Sequence, residues 1–432
     1  MILSNLAQMA ITVTDTIMLG WYSIDALAAL SLIGTMSFLL FIVGSGFAFA
    51  VMPVVAASAQ RGDDVHIRRV TRMGMWLSVV YFACVVPILL WSATVLLALG
   101  QDPEIATLAQ NYSRIAAWGI FAALLVTVLQ AYLSALELTK AVLWATIAAA
   151  LMNGFANYIL IFGNWGAPEL GVRGAAIASV LSVLVSMIYL SLYAVHKKPE
   201  HALFQRLWRP DWEAMGMVFR LGWPIAITNL AETGLFSATA VMMGWLGKIT
   251  LAANGIAFQL SGMMFMVHVG LANAATVRAG RAFGRMDEAG LRQGAKVAIA
   301  MSVIMALFTI IVFLSVPEFL IGLFLDTDDP ERGKIIAVGV GLLAVAAIFQ
   351  FADGAQVMGL ALLRGVQDTR APMVYAAVSY WLIGIPSSYV LGFYFDFGGV
   401  GIWAGLVVGL AGAGAFMMAR FWGRAVKIGT PE

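Results

Sequence analysis

The chain has 432 residues, of which 62% are hydrophobic and only 11% charged, with a formal net charge of +2 and a mean hydropathy of +0.91. Water-soluble domains carry about 25% charged and about 45–50% apolar residues, so this composition excludes a soluble enzyme or binding domain and implies an integral membrane protein. The near-neutral balance gives no reason to expect a nucleic-acid partner, and a single cysteine, Cys84, excludes an intrachain disulfide.

Twelve apolar segments of spanning length run roughly through 1–21, 26–58, 72–99, 108–135, 141–163, 170–195, 215–245, 250–280, 292–324, 335–363, 371–395 and 398–423. A helix needs about 20 residues to cross a hydrocarbon core of about 30 Å. Long continuous runs exclude barrel strands, which alternate over about ten residues. Segment 1 carries an acid, Asp15, and segments 2 and 3 contain Pro53 and Pro87, which would bend them. Cys84 sits in the apolar run of segment 3 and is expected to pack inside. Segment 5 carries Asn153 and Asn157, four residues apart and therefore on one helix face. Segment 6 opens on Gly171 and Gly174 and adds a hydroxyl, Ser179. The polar break 196–214 follows, and then segment 7 with Pro224 and a second acid, Glu232. Segment 8 contains His268, expected to be a hydrogen-bonded packing residue. Segment 10 holds the third acid, Asp353, segment 11 holds Pro386, and segment 12 repeats Gly401, Gly405 and Gly409, a helix-packing face.

Twenty of the 25 lysines and arginines fall on one side of these segments, including Arg61 to Arg72, Lys197 to Arg220, Arg278 to Lys296, Arg364, Arg370 and the three after segment 12. Arg114, Arg173, Lys248, Arg332 and Lys334 fall on the other, beside Asp102, Glu104, Asp326, Asp328 and Asp329. An excess of basic residues marks the cytoplasmic side. Both termini are therefore expected in the cytoplasm. No cleavable signal peptide is expected, because no basic stretch precedes Ile2.

The two halves repeat. Asn5-Leu6-Ala7-Gln8 returns as Asn229-Leu230-Ala231-Glu232, Met18-Leu19-Gly20-Trp21 as Met242-Met243-Gly244-Trp245, and Arg61 and Asp63 as Arg285 and Asp287. Gly171 and Gly174 likewise meet Gly398 and Gly401. Six segments per half give both halves the same orientation. The expected fold is an all-α membrane protein of twelve transmembrane helices in two six-helix lobes, related by a pseudo-twofold axis along the membrane normal. The lobes are placed at 1–195 and 215–432, with 196–214 as a cytoplasmic connector and a cleft between the lobes. Met1 aligns with Ile225, so Met215 to Pro224 has no counterpart upstream, and a truncated chain or a misassigned start is expected rather than a short first helix.

The acids do not repeat: Asp15 aligns with Thr239, Glu232 with Gln8 and Asp353 with Ala123. A carboxylate at mid-helix costs about 2.5–3.5 kcal/mol on insertion scales, and such groups usually face a cavity and carry function. The bland alternative is a structural carboxylate bonded to neighbouring helices. Asp15, Asn153, Asn157 and Ser179 together could offer oxygen ligands to Na⁺, whereas the carboxylate alone suits a proton. Interhelical hydrogen bonding, worth about 0.6–2 kcal/mol, explains the asparagines equally well. The chain has no phosphate-binding loop, metal-ligand cluster or nucleophile motif, so neither an enzyme nor a cofactor is expected. An apolar chain of two like halves with unmatched buried acids is the sequence form of a secondary transporter driven by an ion gradient. A non-transporting receptor or scaffold would give no reason for the three acids.

Thr14-Asp15-Thr16-Ile17-Met18-Leu19-Gly20, Gly270-Leu271-Ala272-Asn273-Ala274-Ala275-Thr276-Val277-Arg278 and Leu363-Arg364-Gly365-Val366-Gln367-Asp368-Thr369-Arg370 resemble signatures of the multidrug and toxic compound extrusion (MATE) transporters. The resemblance spans the chain. It implies exchange of Na⁺ or H⁺ for amphipathic cationic drugs across the inner membrane of a bacterial cell; a monomer is the default expectation, because the cleft lies within one chain. It makes Asp15 the acid of an N-lobe cation site lined by Asn153, Asn157 and Ser179. It makes Glu232 and Asp353 the C-lobe acids of the NorM-type branch, at a cation or drug site. Phe349 stands where NorM-type members can carry tyrosine, which removes a hydroxyl from that second site. The asparagine pair and the C-lobe acids lean toward Na⁺, with H⁺ left open. The rival within the same superfamily is a lipid-linked oligosaccharide flippase, which would call for several basic residues within the membrane to hold a pyrophosphate; here the basic residues sit at segment ends.

Overall fold

A computed structural model describes residues 2–326 and 330–428; Asp328 and Asp329, assigned above to an outer loop, lie outside the described residues. The described residues form helices and no strand. Twelve long helices follow the twelve apolar segments: α1 Ile2–Tyr22, α2 Ile24–Arg61, α3 Asp64–Leu90, α4 Pro103–Ala135, α5 Thr139–Phe162, α6 Val172–Lys197, α7 Trp212–Trp245, α8 Lys248–Gly284, α9 Glu288–Ser315, α10 Arg332–Gly365, α11 Arg370–Tyr394 and α12 Gly398–Ala425. All but α1 contain, among the described residues, a window long and apolar enough to cross a membrane.

Helix ends depart from the apolar runs where capping outweighs hydropathy. The third helix begins at Asp64, well before residue 72, because the Asp63 carboxylate accepts the His66 backbone N–H at 2.9 Å and so satisfies a free donor of the first turn. Its apolar run continues to residue 99, but the helix stops at Trp91 and restarts as the short helix Ser92–Ala98. Hydropathy does not distinguish one long helix from two. Cys84 is exposed on α3 and not packed inside; in a membrane, a side chain facing lipid needs no less apolar surroundings than one facing protein, so the sequence run could not separate the two.

Two compact units emerge, Leu3–Ala226 and Ile227–Glu432, with the division inside α7. In the first, α4 packs against α2, α3 and α6, and α5 packs on α6. In the second, α10 packs against α8, α9 and α12, and α11 packs on α12. The same pairings occur in each unit, which is the three-dimensional form of the repeat. Its small details are duplicated as well. Asp63 caps α3 and Asp287 caps α9, the latter accepting Gly290 N–H at 2.8 Å. Gly171 and Gly398 both take positive φ, 52° and 56°, before α6 and α12. One turn on, a Cβ on Gly174 would strike the Leu160 carbonyl and one on Gly401 the Leu391 carbonyl. Only glycine permits that close approach of helix to backbone.

The proline positions fall inside helices: Pro53 in α2, Pro87 in α3 and Pro224 in α7. In α11, Pro386 lies between two π-helical stretches, Val378–Gly384 and Val390–Tyr394. Wider turns of this kind absorb a missing backbone donor and a ring in the ladder.

Residues 199–211 of the connector are strapped to α3 of the first unit. Arg72 donates to the carbonyls of Leu203 and Ala202 at 2.7 and 2.5 Å, and Trp76 Nε1 donates to Leu207 O at 2.6 Å. His201 is buried, with Nδ1 2.5 Å from the Tyr132 hydroxyl and Nε2 3.3 Å from Asp64 Oδ1. Burial pushes this imidazole below its ordinary value of 6.5, against the raising pull of Asp64 and Glu200; Lys198 adds a smaller lowering effect. A base whose folded value is depressed stabilises the fold fully above its unfolded value and loses that contribution as pH falls through the folded value. The strap should therefore hold at pH 7.5 and loosen as pH falls below the ordinary histidine value of 6.5. Hydrogen exchange of residues 199–211 is expected to show a loss of protection at pH 5 in the native chain. His201→Gln, which cannot titrate, should show no such step.

Candidate functional site

Within the first unit, three helices bring polar side chains together. Asp15 comes from α1, Asn153 and Asn157 from one face of α5, and Ser179 from the first turns of α6. Asp15 Oδ1 accepts Asn153 Nδ2 at 3.0 Å and Asn157 Nδ2 at 2.5 Å, while Oδ2 accepts the Ser179 hydroxyl at 3.1 Å. Asn157 Nδ2 also reaches Asn153 Oδ1 at 3.2 Å. Both asparagines are fully buried. Asn157 Oδ1 is buried without a hydrogen-bond partner, a state that ordinarily costs about 1–3 kcal/mol. A fifth residue, Tyr112 of α4, places its buried phenol beside Ser179 and within electrostatic reach of Asp15. A tyrosine in an apolar helix gives no signal in the sequence, because its hydroxyl becomes informative only once the neighbouring helices are placed.

The second unit gathers a different set. Glu232 of α7 and Asp353 of α10 lie within reach of each other's charge. Glu232 Oε1 and both Asp353 oxygens are buried without a hydrogen-bond partner. Tyr380 of α11 faces both acids and Gln356. Gln350 and Gln356 are fully buried with both amide atoms unpartnered. Arg364, read from the sequence as part of the loop after segment 10, belongs to the last turn of α10. It donates to Asn229 Oδ1 at 2.9 Å and lies within reach of Glu232. Phe349 takes no part in these polar contacts: it is buried between the rings of Phe236 and Trp403, at centroid distances of 6.2 and 5.4 Å. The hydroxyl that Phe349 lacks is offered from α11 by Tyr380, which no sequence pattern singles out. His268 is fully buried, with Nδ1 3.4 Å from the Met264 carbonyl and Nε2 unpartnered.

The two sets differ in kind. The first is a single carboxylate held by three donors, with a spare amide oxygen. The second holds two carboxylates, a guanidinium, a phenol and two amides, most of them without hydrogen bonds. Among the described residues, no three His, Cys, Asp or Glu side chains are grouped as ligands for a metal. An ion held at either place would meet carboxylate, amide and hydroxyl oxygens, a donor set suited to a hard cation.

The MatE family model matches residues 1–159 and 224–390. A probable multidrug resistance protein NorM from Rhizobium meliloti is 42% identical over 422 residues, covering 97% of this chain and 90% of that protein. The corresponding protein of Agrobacterium fabrum is 41% identical over 420 residues, with the same coverages of 97% and 90%. Among solved structures, an outward-facing multidrug resistance MATE family transporter of the MOP superfamily aligns with a TM-score of 0.91 at 18% identity, covering 100% of this chain and 95% of that one. A eukaryotic MATE transporter aligns with a TM-score of 0.87 at 18% identity, covering 99% and 94%. At that identity the structural likeness speaks for the fold.

Proposed function

The chain belongs to the MatE family of multidrug and toxic compound extrusion transporters, and from that premise we propose that it is a cation-coupled antiporter. It exports amphipathic cationic compounds across a bacterial cytoplasmic membrane by alternating access, with Na⁺ or H⁺ as the entering ion. The observation that carries this reading is the Asp15 carboxylate clasped by Asn153, Asn157 and Ser179, with Asn157 Oδ1 left over. A proton arriving at Asp15 displaces one of its donors. A sodium ion displaces more, because an amide must then turn its oxygen toward the ion, and Asn157 already has one oxygen free. Either event removes the negative charge that would hold a cationic drug, so ion uptake and drug release exclude each other. One elementary charge moving through 100 mV is worth about 2.3 kcal/mol, enough to displace a weakly held drug. Glu232 and Asp353 form the second place where the same exchange can occur.

Efflux of a fluorescent cation such as ethidium from proteoliposomes, with Na⁺ and pH gradients imposed separately, tests this. Efflux driven by Na⁺ at constant pH assigns Na⁺; efflux driven only by the pH gradient assigns H⁺ and makes Asp15 the leading carrier. No efflux under either gradient from folded protein overturns the antiport reading and favours a lipid-linked flippase.

A further inference from the structure

We infer that the connector face of the first unit is a binding site for the phosphate headgroup of an anionic phospholipid. A cavity of about 420 Å³ opens there between α3 and the start of α7, lined by Arg69, Arg72, Arg209, Asp211 and Trp212. Arg68 and Arg206 lie within electrostatic reach of Arg72, so five guanidinium groups converge on one small region. Two carboxylates stand against them, and both are committed to one arginine: Arg69 pairs with Asp211, and with Glu213 at 2.6 Å. Arg72 spends its donors on the Leu203 and Ala202 carbonyls but keeps its charge. Arg68, Arg206 and Arg209 have no carboxylate partner among the described residues. The last two are exposed.

The region also carries apolar anchors. Trp208 and Trp212 are 72% and 75% exposed, one on either side of Arg209. Their backbone is not loose, since Trp76 and Arg72 hold the connector against α3 at Leu207, Leu203 and Ala202. Indole rings favour the headgroup level of a bilayer, and α3 and α7, which flank the cavity, are both of membrane-spanning length. A cluster in which Arg68, Arg206 and Arg209 have no carboxylate partner among the described residues, carried with two exposed indoles adjacent in the chain to Arg209 or near it, is complementary to a lipid that offers a phosphate beside an acyl surface. Free phosphate would use the arginines and leave the indoles idle.

The test uses the purified full chain in neutral detergent, without drug or gradient, so that it is independent of the transport reading. The apparent melting temperature is titrated with short-chain phosphatidylglycerol, with phosphatidylcholine of the same chain length, and with inorganic phosphate. Phosphatidylglycerol is expected to stabilise saturably, at a midpoint about tenfold or more below that of phosphatidylcholine. The double variant Arg206→Gln, Arg209→Gln removes two exposed, unpartnered charges. It should raise the phosphatidylglycerol midpoint about tenfold and leave the phosphatidylcholine response unchanged. Trp208→Ala with Trp212→Ala should weaken phosphatidylglycerol binding as well. Equal midpoints for the two lipids, or an arginine double variant that binds phosphatidylglycerol like the native chain, would overturn the proposal. Saturation by inorganic phosphate at the phosphatidylglycerol midpoint would overturn it in favour of a free-anion site.

Discussion

Asp15→Asn is expected to lower gradient-driven export of a cationic dye about tenfold or more while leaving the yield of folded protein unchanged. The substitution is nearly isosteric. The remaining carbonyl oxygen can still accept Asn153 and Asn157, and the Ser179 hydroxyl can turn to accept from the new amide. The charge is what disappears. Hydrogen bonds to a charged group contribute about 1.5–3 kcal/mol against about 0.5–1.5 kcal/mol for neutral pairs, and an amide binds neither a proton nor, at these ligand numbers, a sodium ion tightly. Ser179→Ala should cost less, since it removes one donor of three and leaves the charge. Ser182→Ala is the control, because that hydroxyl bonds only the Ala178 carbonyl of its own helix. Asp353→Asn is the parallel experiment in the second unit. Its carboxylate has no hydrogen bonds to lose, so a fall in export there reports the charge alone. Export at native rates from both the Asp15 and Asp353 variants would end the antiport reading.

Gly405→Val is expected to lower the melting temperature of the detergent-solubilised protein by many degrees, or to abolish a monodisperse folded species. A Cβ at Gly405 would be driven into the backbone and hydroxyl of Ser388 on α11, and backbone cannot rotate away. The neighbouring positions are as tight: a Cβ on Gly401 would meet the Leu391 carbonyl, and one on Gly409 would lie 2.8 Å from the Gly384 Cα. Overpacking a close-packed contact ordinarily costs about 1–3 kcal/mol, and more where the obstacle is main chain. Valine adds a second branch to that conflict. Gly412 is the contrasting site on the same helix, with only the Ser379 side chain at ordinary contact distance, 3.6 Å. Gly412→Ala should melt with the native chain, or slightly above it, because alanine is the better helix former by about 1 kcal/mol. A native melting temperature in Gly405→Val would show that α11 and α12 do not meet as described.

The polar site of the first unit was legible because its residue types are costly inside a membrane. Asp15 stands out in any apolar helix, and Asn153 and Asn157 share a face by their spacing. The structure places both amides on that carboxylate, together with Ser179. Tyr112 was not legible, since a tyrosine is common in such helices whether or not its hydroxyl has work. In the second unit the acids were visible, but their company was not. Arg364 reads as a loop cation until the last turn of α10 carries it back toward Asn229 and Glu232. Tyr380 and Gln356 become relevant only when α11 is laid beside α10. Cys84 shows the converse error, since an apolar run is compatible with a face turned outward as well as inward.

By itself the sequence determined the membrane class, the number and order of the helices, the duplication and the identity of the three acids carried inside membrane-spanning helices. Each follows from a local rule: the length that spans a bilayer, the spacing of repeats, and the cost of placing charge in hydrocarbon. Only the tertiary structure decided which side chains meet the acids, where helices begin and break, and that residues 199–211 are strapped to the first unit. Those outcomes depend on hydrogen bonds and close contacts between residues more than a hundred positions apart, such as Asn157 with Asp15 and Arg72 with Leu203. No local pattern encodes such a pairing, because it is the packing of neighbouring helices that selects the partner.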